Sequence, residues 1–413
     1  MRFFKARSLP FIFLALMAVI LVAATAYEHL YGTSSAMQVF YHSWWFVGLW
    51  GLIAVAGTVK AIRSRSCRRP AVMSIHIALL IILAGALTTH LSSNEGTMSL
   101  SKHQPATNLF LQTDNHIGHL PFLVSADSIT IELNRPMMRE GYILYLMNRD
   151  KDEAGCTLKV VKDPYGFPLT HIGYILLLLG FIAFLVISSS SPKGESHNRA
   201  ESSPIGMTRG KSIRLSALLL LIIGSMLYAY RGYLAGHIPL TNGGEVWHFG
   251  ALCAFALALW LRPAPCLVVG ALALGISFFS TGSLTAPSPP VLRSFWLSLH
   301  VSIIILAYTL LAYLAVVPSR QVLKWAVATL TVGIFLGAAW AGQAWGRYWG
   351  WDPKEVWALI TLLVYVLPLH KESLPWFRDE KHLCWYLRLA FICVLFTYFG
   401  VNYLMGGLHS YAV

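Results

Sequence analysis

Four histidines lie in or next to long apolar segments, in two pairs at different expected depths in a membrane. An imidazole at such a place can bind a metal. His300 opens one long apolar run and His409 follows the last one. His76 lies about five residues into another run, hence about 8 Å deep, and His370 ends a further one. An ionisable side chain inside a membrane helix indicates function by default. The two pairs therefore predict axial ligation of iron from both sides, although each histidine taken alone fits a hydrogen-bonded interfacial or core residue equally well.

The other eleven histidines are expected to be ordinary hydrogen-bonded residues. Five of them lie close enough to membrane ends to be confused with ligands: His42, His90, His171, His237 and His248.

A cluster of aromatic residues lies between residues 340 and 357, which we call the tryptophan-rich segment. It contains Trp340, Trp345, Tyr348, Trp349, Trp351 and Trp357. Asp352 suits the cap of a helix and Pro353 its first position, so a helix is predicted to begin there. The cluster fits a site for a flat apolar ligand, an aromatic belt at the membrane surface, or a face for a partner protein.

The composition shows which elements must carry these groups. Of 413 residues, 56% are hydrophobic and 12% charged, against about 25% charged residues in a soluble domain. This excludes an ordinary soluble enzyme. The net charge of +13 is explained by membrane orientation without nucleic-acid binding. Six cysteines without a C-x-x-C pair exclude a dithiol or a disulfide framework between sequence neighbours.

Eleven apolar runs predict an all-α polytopic membrane protein with about eleven transmembrane helices. They lie near residues 9–26, 44–60, 71–90, 168–188, 213–230, 246–261, 264–282, 294–317, 322–341, 355–370 and 384–405. The first is expected to be a retained helix, because a second span follows it directly. Residues 246–282 form either two helices or a re-entrant hairpin.

The basic residues predict a cytoplasmic N-terminus. With that orientation, twenty Lys and Arg lie on the inner side and four in the short outer loops, which is a strong positive-inside pattern. Residues 91–167 then lie outside and contain short runs rich in β-branched and aromatic residues, near 122–125, 129–133 and 142–146. They predict a small β-rich extracytoplasmic domain. The Ser-rich stretch 189–212 predicts a flexible cytoplasmic linker between a first half, 1–188, and a second half, 213–413.

Several stretches resemble one family. Residues 344–357 (AWGRYWGWDPKEVW), 298–301 (SLHV) and 396–412 resemble CcsA-type haem-handling proteins of cytochrome c biogenesis. Residues 41–46 (YHSWWF), the His76 helix and residues 163–168 (DPYGFP) resemble the ResB, or CcsB, partner. In this order the chain is similar to the fused cytochrome c synthetase of system II, strongly over 294–413 and more loosely over 1–188.

The resemblance implies roles for individual residues. It implies that His76 and His370 bind haem iron within the membrane and that His300 and His409 bind it at the outer side. The residues that match the tryptophan-rich segment of the family are Trp345, Gly346, Tyr348, Trp349, Trp351, Asp352, Pro353, Lys354 and Glu355. Lys354 and Arg293 fit contacts with haem carboxylates, or a helix-start or interfacial role. Residues 239–242 and Glu245 also look family-like, with no role beyond packing.

The implied activity is that of a holocytochrome c synthase, a haem lyase that forms thioether bonds. Haem b would cross the bacterial inner membrane and be joined, on the periplasmic side, to the C-x-x-C-H motif of apocytochrome c. No residue of the chain is expected to act as a nucleophile. The expected partners are haem, apocytochrome c, thiol-reducing proteins and the lipid bilayer, with no nucleic acid. One departure is the outer domain, which at about 77 residues is shorter than is usual for the ResB part.

Two other functions stay open. A haem exporter or chaperone needs bis-histidine binding of haem and a path across the membrane but no ligation step. A non-haem scaffold or quinone-binding protein would use the tryptophan-rich segment for a different flat ligand.

Overall fold

The computed structural model describes residues 9–64, 69–102, 104–113, 115–126, 131–132, 134–149, 155–190, 204–261, 263–279 and 294–405. Its helices are α1 (Leu9–Tyr31), α2 (Thr33–Ala36), α3 (Trp44–Arg63), α4 (Pro70–Ser92), α5 (Gly166–Ser190), α6 (Pro204–Ala235), α7 (Gly243–Leu257), α8 (Pro263–Phe279), α9 (Phe295–Val316), α10 (Arg320–Trp345), α11 (Pro353–Val366), α12 (Glu380–Leu395) and α13 (Val401–Leu404). Single π-helical turns cover Met37–Tyr41 and Phe396–Gly400, and 3₁₀ turns cover Leu367–His370 and Pro375–Arg378.

Eight stretches of the described chain are long and apolar enough to cross a bilayer, which agrees with a multi-pass membrane protein. They are α1, α3, α4, α5, α6 from Gly210, α9, α10 and the continuous stretch Glu380–Leu404. Three further runs gave shorter helices: α7 has 15 residues, α8 has 17 and α11 has 14. They fall short of the roughly 20 residues that a span requires, so the predicted count of about eleven is not confirmed.

The predicted β-rich domain is present as a six-stranded antiparallel sheet. Its strands are β1 (Asn94–Ser101), β2 (Thr107–Gln112), β3 (Ile117–Val124), β4 (Met137–Arg139), β5 (Tyr142–Arg149) and β6 (Gly155–Lys162), in the order β3-β2-β1-β6-β5-β4. Along β3 exposed and buried residues alternate strictly, because one face covers the domain core. Of the predicted run 129–133, residues 129, 130 and 133 lie outside the described residues, and Glu132 forms only an isolated bridge with Arg135.

One buried carboxylate connects this sheet to the helices α4 and α5. Asp163 follows β6, accepts a hydrogen bond from the Thr89 hydroxyl at the end of α4 (2.6 Å), and accepts another from the Gly166 backbone N–H at the start of α5 (2.7 Å). The helices α4 and α5 pack along each other and, through Leu177 and Phe181, against Ala328 of α10. The DPYGFP stretch is therefore the junction between sheet and bundle.

Two further buried clusters join elements that are far apart in sequence. Met17 and Leu21 of α1 pack with Phe46 of α3 and with Val356 and Ile360 of α11. The largest cluster lies between α9, α10, α11 and α12. The first helix therefore packs on the helix that follows the tryptophan-rich segment.

Candidate functional site

The middle of the tryptophan-rich segment, residues 346–352, is a tight loop between two helices, which we call the tryptophan-rich loop. The helix α10 ends at Trp345, and Gly346 follows in the left-handed region with φ +71°. Trp351 also has a positive φ of 56°, which for a bulky side chain costs about 1–3 kcal/mol and requires support from its surroundings. The next helix, α11, begins at Pro353, as the sequence predicted.

A capping box sets the end of this loop. The Asp352 carboxylate accepts a hydrogen bond from the Lys354 backbone N–H (3.0 Å) and caps α11. The Glu355 carboxylate accepts hydrogen bonds from the backbone N–H groups of Gly350 (2.8 Å) and Asp352 (3.3 Å). These two side chains therefore shape the backbone that presents the tryptophans.

Trp351 is held in place by two aromatic residues from the first part of the chain, Tyr41 and Phe46. The Tyr41 ring stacks on the Trp351 indole with centroids 4.8 Å apart and planes 8° apart, and Phe46 meets the same indole edge-on at 5.1 Å. Both residues are buried. The unusual backbone at Trp351 is thus supported by residues that precede it by about 300 positions.

Tyr348 is held by α5. Its hydroxyl contacts the His171 imidazole and lies 3.4 Å from the Phe167 carbonyl oxygen, to which it donates. Its ring packs against those of Phe167, at 4.6 Å, and Tyr174, at 5.4 Å. Burial raises the pKa of the Tyr348 phenol, so the hydroxyl stays protonated and acts as a donor.

The six-stranded sheet touches the loop at Gly346. A Cβ atom added there would lie 2.6 Å from the Tyr145 ring and 3.0 Å from a Val161 methyl, so only glycine fits this approach. Nearby, the Lys159 ammonium and the Glu95 carboxylate form an ion pair at 2.7 Å. Burial lowers the pKa of Lys159, and Glu95 opposes that shift.

The other side of the segment faces the last helices. The Lys354 ammonium donates to the Asn402 side-chain oxygen (2.6 Å), and the Trp357 indole packs on the Phe396 ring at 4.0 Å. Phe396 begins a π-helical turn, a type of distortion that is frequent at functional sites. The Thr397 hydroxyl reaches the Trp357 carbonyl oxygen (3.3 Å), which fixes this turn against α11.

Three indole N–H groups around the segment are buried without a hydrogen-bond acceptor among the described residues: those of Trp340, Trp349 and Trp357. A buried donor without a partner is unusual and requires an explanation. A ligand with oxygen atoms would satisfy such donors.

The structure brings the two inner histidines near each other. The His76 Nδ1 donates to the Val72 carbonyl oxygen (2.8 Å), and the His370 Nδ1 donates to the Val366 carbonyl oxygen (3.1 Å). His370 lies within electrostatic reach of His76 and packs against Phe11 at 4.9 Å. An imidazole that donates through Nδ1 carries its lone pair on Nε2, the nitrogen then available to a metal.

Only one of the two outer histidines lies in the described part of the chain. The His300 Nδ1 donates to the Gly333 carbonyl oxygen (2.7 Å), and its ring fills the space beside Gly337. Gly337 precedes Trp345 by eight residues, about 12 Å of helix, so His300 lies beside α10 about two turns before the tryptophan-rich loop. His409 and Arg293 lie outside the described residues.

The structure also gives the surroundings of Glu245, of Asn242 and of the cysteines. Glu245 accepts hydrogen bonds from Arg231 (2.8 Å) and from the Thr241 backbone and hydroxyl, and Asn242 caps α7. Five cysteines are free thiols, and Cys67 lies outside the described residues. Tyr41, Phe46, His171 and Tyr174 were not predicted as site residues, because their pairing with the tryptophan-rich segment depends on tertiary packing.

Comparison with known proteins identifies the second part of the chain. A family model described as cytochrome C assembly protein matches residues 317–409. The chain is 33% identical over 239 residues to Protein NrfI of Wolinella succinogenes, covering 49% of the chain and 26% of NrfI. It is 34% identical over 243 residues to the cytochrome c biogenesis protein CcsA of Chlamydomonas reinhardtii, covering 49% of the chain and 66% of that protein.

A further relative is covered almost completely. The chain is 30% identical over 313 residues to the cytochrome c biogenesis protein CcsA of Synechococcus sp. (strain CC9605), covering 59% of the chain and 95% of that protein. These matches cover the CcsA-like part and leave the predicted fusion to a ResB-like part unconfirmed. The chain belongs to the CcsA family of cytochrome c biogenesis proteins.

Proposed function

We propose that the chain is a cytochrome c synthetase, which carries haem b across the bacterial inner membrane and joins it to apocytochrome c on the outer side. In this proposal a ResB-like part, 1–188, is fused to a CcsA-like part, 213–413, through residues 189–212, of which 204–212 belong to helix α6 and not to a flexible linker. The N-terminus is cytoplasmic and the tryptophan-rich segment is periplasmic, as the distribution of basic residues favours.

The single observation that carries the proposal is the inner histidine pair. His76 comes from α4 and His370 from the turn after α11, yet both lie in one neighbourhood and both donate through Nδ1 to a carbonyl one helical turn earlier. Such a second hydrogen bond orients an imidazole and makes its other nitrogen a better ligand. Haem iron bound by both Nε2 atoms would hold the macrocycle between the two parts of the chain.

The proposal includes a second haem site on the outer side of the membrane. Haem moves outward from the inner pair and is held beneath the tryptophan-rich segment, with His300 and His409 as axial ligands. Flat aromatic faces offer a large contact area to a macrocycle, and the buried indole N–H groups of Trp340, Trp349 and Trp357 provide donors for its oxygen atoms. In this role Gly346, Asp352, Pro353 and Glu355 shape the loop that presents these faces.

The reaction is an addition without a leaving group. Each thiol sulfur of the C-x-x-C-H motif bonds to the vinyl carbon next to the macrocycle, and the thiol hydrogen passes to the terminal vinyl carbon, so that a double bond becomes a single bond. Thiol-reducing partners keep the cysteines available. Holding vinyl group and thiol together contributes up to about 7–11 kcal/mol in well-oriented cases, so the chain needs no nucleophile of its own.

Co-expression with a reporter tests this proposal. The full chain is expressed with an apocytochrome c in a bacterium that lacks its own maturation system, and covalent haem is detected on the denatured reporter. The proposal predicts covalent haem, unchanged in the control His119→Ala, which alters an exposed residue of β3. Haem bound to the chain without transfer to the reporter would favour export, and a chain without haem would favour a non-haem scaffold.

A further inference from the structure

Two histidines that the proposed function does not use face each other on the side of the molecule where Trp351 lies. His42 directly follows Tyr41, which stacks on Trp351, and His90 lies in the last turn of α4. The His42 and His90 ring centroids are 6.1 Å apart, with planes inclined by 46°. Two imidazoles can bind one metal ion from opposite sides, each with a metal–nitrogen distance of about 2 Å. Their ring centroids then lie roughly 6 Å apart. The spacing suits one metal between the rings.

No hydrogen bond within the described part of the chain gives either imidazole a structural role. Neither His42 nor His90 forms a side-chain hydrogen bond with another described residue, in contrast to His76, His171, His237, His248, His300 and His370. Both side chains are exposed. A ring that packs in a core or caps a helix normally has a polar partner, so these two imidazoles keep their nitrogens available to a ligand.

The surroundings of the pair favour iron in a macrocycle over a free metal ion. A structural metal ion usually takes four protein ligands, and among the described residues no group of three or more His, Cys, Asp or Glu is placed to hold one. Iron in haem already has four equatorial nitrogens and needs only two axial ligands. Two histidines supply all the protein ligands that haem iron needs, whereas a structural metal ion would usually need two more.

Exposed indoles beside the pair offer the apolar contact that a macrocycle requires. The Trp44 ring meets His90 edge-on at 6.0 Å and is 70% exposed, and the neighbouring Trp45 is 49% exposed. Indole rings provide large flat surfaces at the boundary between membrane and water. A haem held at this place would lie open to the outside.

We propose that His42 and His90 form a separate bis-imidazole haem site at the outer ends of α3 and α4. This inference rests on the proposed function in taking haem as the cargo and in placing these helix ends on the outer side of the membrane. The site is distinct from the inner pair, His76 and His370, and from the outer ligands His300 and His409. Because it is open to the surface, it would hold haem that enters or leaves the bundle from the outside.

Titration of the purified full chain with haemin tests the site. Wild-type protein is expected to bind one more equivalent with a low-spin bis-imidazole spectrum than His42→Ala or His90→Ala. The double variant should lose the same single equivalent, because both residues bind one iron. Added imidazole should restore the low-spin spectrum in His90→Gly, a result that a merely structural role would not produce. The control His119→Ala should bind as wild type does.

Equal haemin stoichiometry in wild-type protein and in the His42 and His90 variants would overturn the site. Losses that add up in the double variant would also overturn it, since they would indicate two independent sites. A pair that binds Ni²⁺ or Zn²⁺ but no haemin would overturn the choice of ligand. Failure of the proposed function gives a different result, namely normal haemin binding without thioether formation.

Discussion

At the scale of single residues, the hydrogen bond on one nitrogen decides what the other nitrogen of an imidazole can do. His76 and His370 both donate through Nδ1 to a backbone carbonyl of their own helical segment. Each ring is thereby fixed in one tautomer with its lone pair on Nε2. If the two histidines bind haem iron as proposed, a substitution that removes either imidazole would remove a ligand and leave the backbone in place.

Substitution of His370 by glycine should lower the haem that copurifies with the chain. The inner site would lose one of two axial ligands, and free imidazole added during purification should restore much of the loss by filling the empty position. The measurement is haem per chain and the oxidised and reduced spectra. His382→Ala is the matched control, because His382 is exposed and stacks only on Trp376. Unchanged haem content in His370→Gly would remove this residue from the site.

The Glu355 carboxylate should matter through its shape more than through its charge. It accepts hydrogen bonds from two backbone N–H groups of the loop, and a glutamine oxygen can accept the same bonds. Glu355→Gln should therefore retain most reporter maturation. Glu355→Ala should lose most of it, at a cost to the helix start of about 0.5–2 kcal/mol. Equal loss in both variants would mean that the negative charge itself is required.

At the scale of elements, the tryptophan-rich loop is supported from three directions. The π-helical turn before α3 supports Trp351, α5 supports Tyr348, and the outer sheet meets Gly346. The strained backbone at Trp351 persists because these contacts leave it no alternative. The loop is thus supported by three elements that all precede residue 191, about 150 positions or more before it.

The stacking of Tyr41 on Trp351 predicts a graded pair of variants. Tyr41→Phe should mature the reporter nearly as wild type does, because the ring is kept and the hydroxyl has no hydrogen-bond partner among the described residues. Tyr41→Ala removes a buried ring, a change that typically costs about 3–5 kcal/mol, and should reduce maturation while haem at the inner pair is retained. The measurement compares covalent reporter haem with haem on the chain. Similar activity of Tyr41→Ala and wild type would contradict the support.

Local signals predicted the ends of these elements well. The side chains of Asp352 and Pro353 themselves favour a helix start, and the runs of β-branched and aromatic residues at 122–125 and 142–146 indicated strands that the structure contains. The spans were less predictable, since the apolar runs of α7 and α11 leave the α-helix early, at Ala258 and at Leu367, and α8 is described only as far as Phe279. The contacts of Tyr41 and His171 depend on the packing of distant helices, which no local pattern contains.

At the scale of the whole molecule, the first and second parts of the chain share buried surfaces. Packing of α1 on α11 and of α5 on α10 buries Met17, Leu21 and Leu177, among others. Residues 191–203, between α5 and α6, lie outside the described residues. Buried apolar side chains of this kind each contribute about 1.5–3 kcal/mol, so these contacts should hold the parts together without a covalent link.

Cleavage between the parts tests this. A protease site inserted between residues 191 and 203 of the full chain allows it to be cut after purification in detergent. The two fragments should comigrate in gel filtration and keep their haem. The uncut protein with the same insertion is the control. Separation of the fragments, or loss of haem on cutting, would show that the shared surfaces do not suffice.

Attachment of haem to apocytochrome c by this chain is best tested with the purified full chain alone. The chain is loaded with reduced haem and mixed with a C-x-x-C-H peptide under reducing conditions, and the peptide is analysed by mass spectrometry after denaturation. We expect peptide that carries haem through thioether bonds, and none when both cysteines of the peptide are replaced by serine. Haem-loaded chain that leaves the peptide unmodified would contradict this expectation.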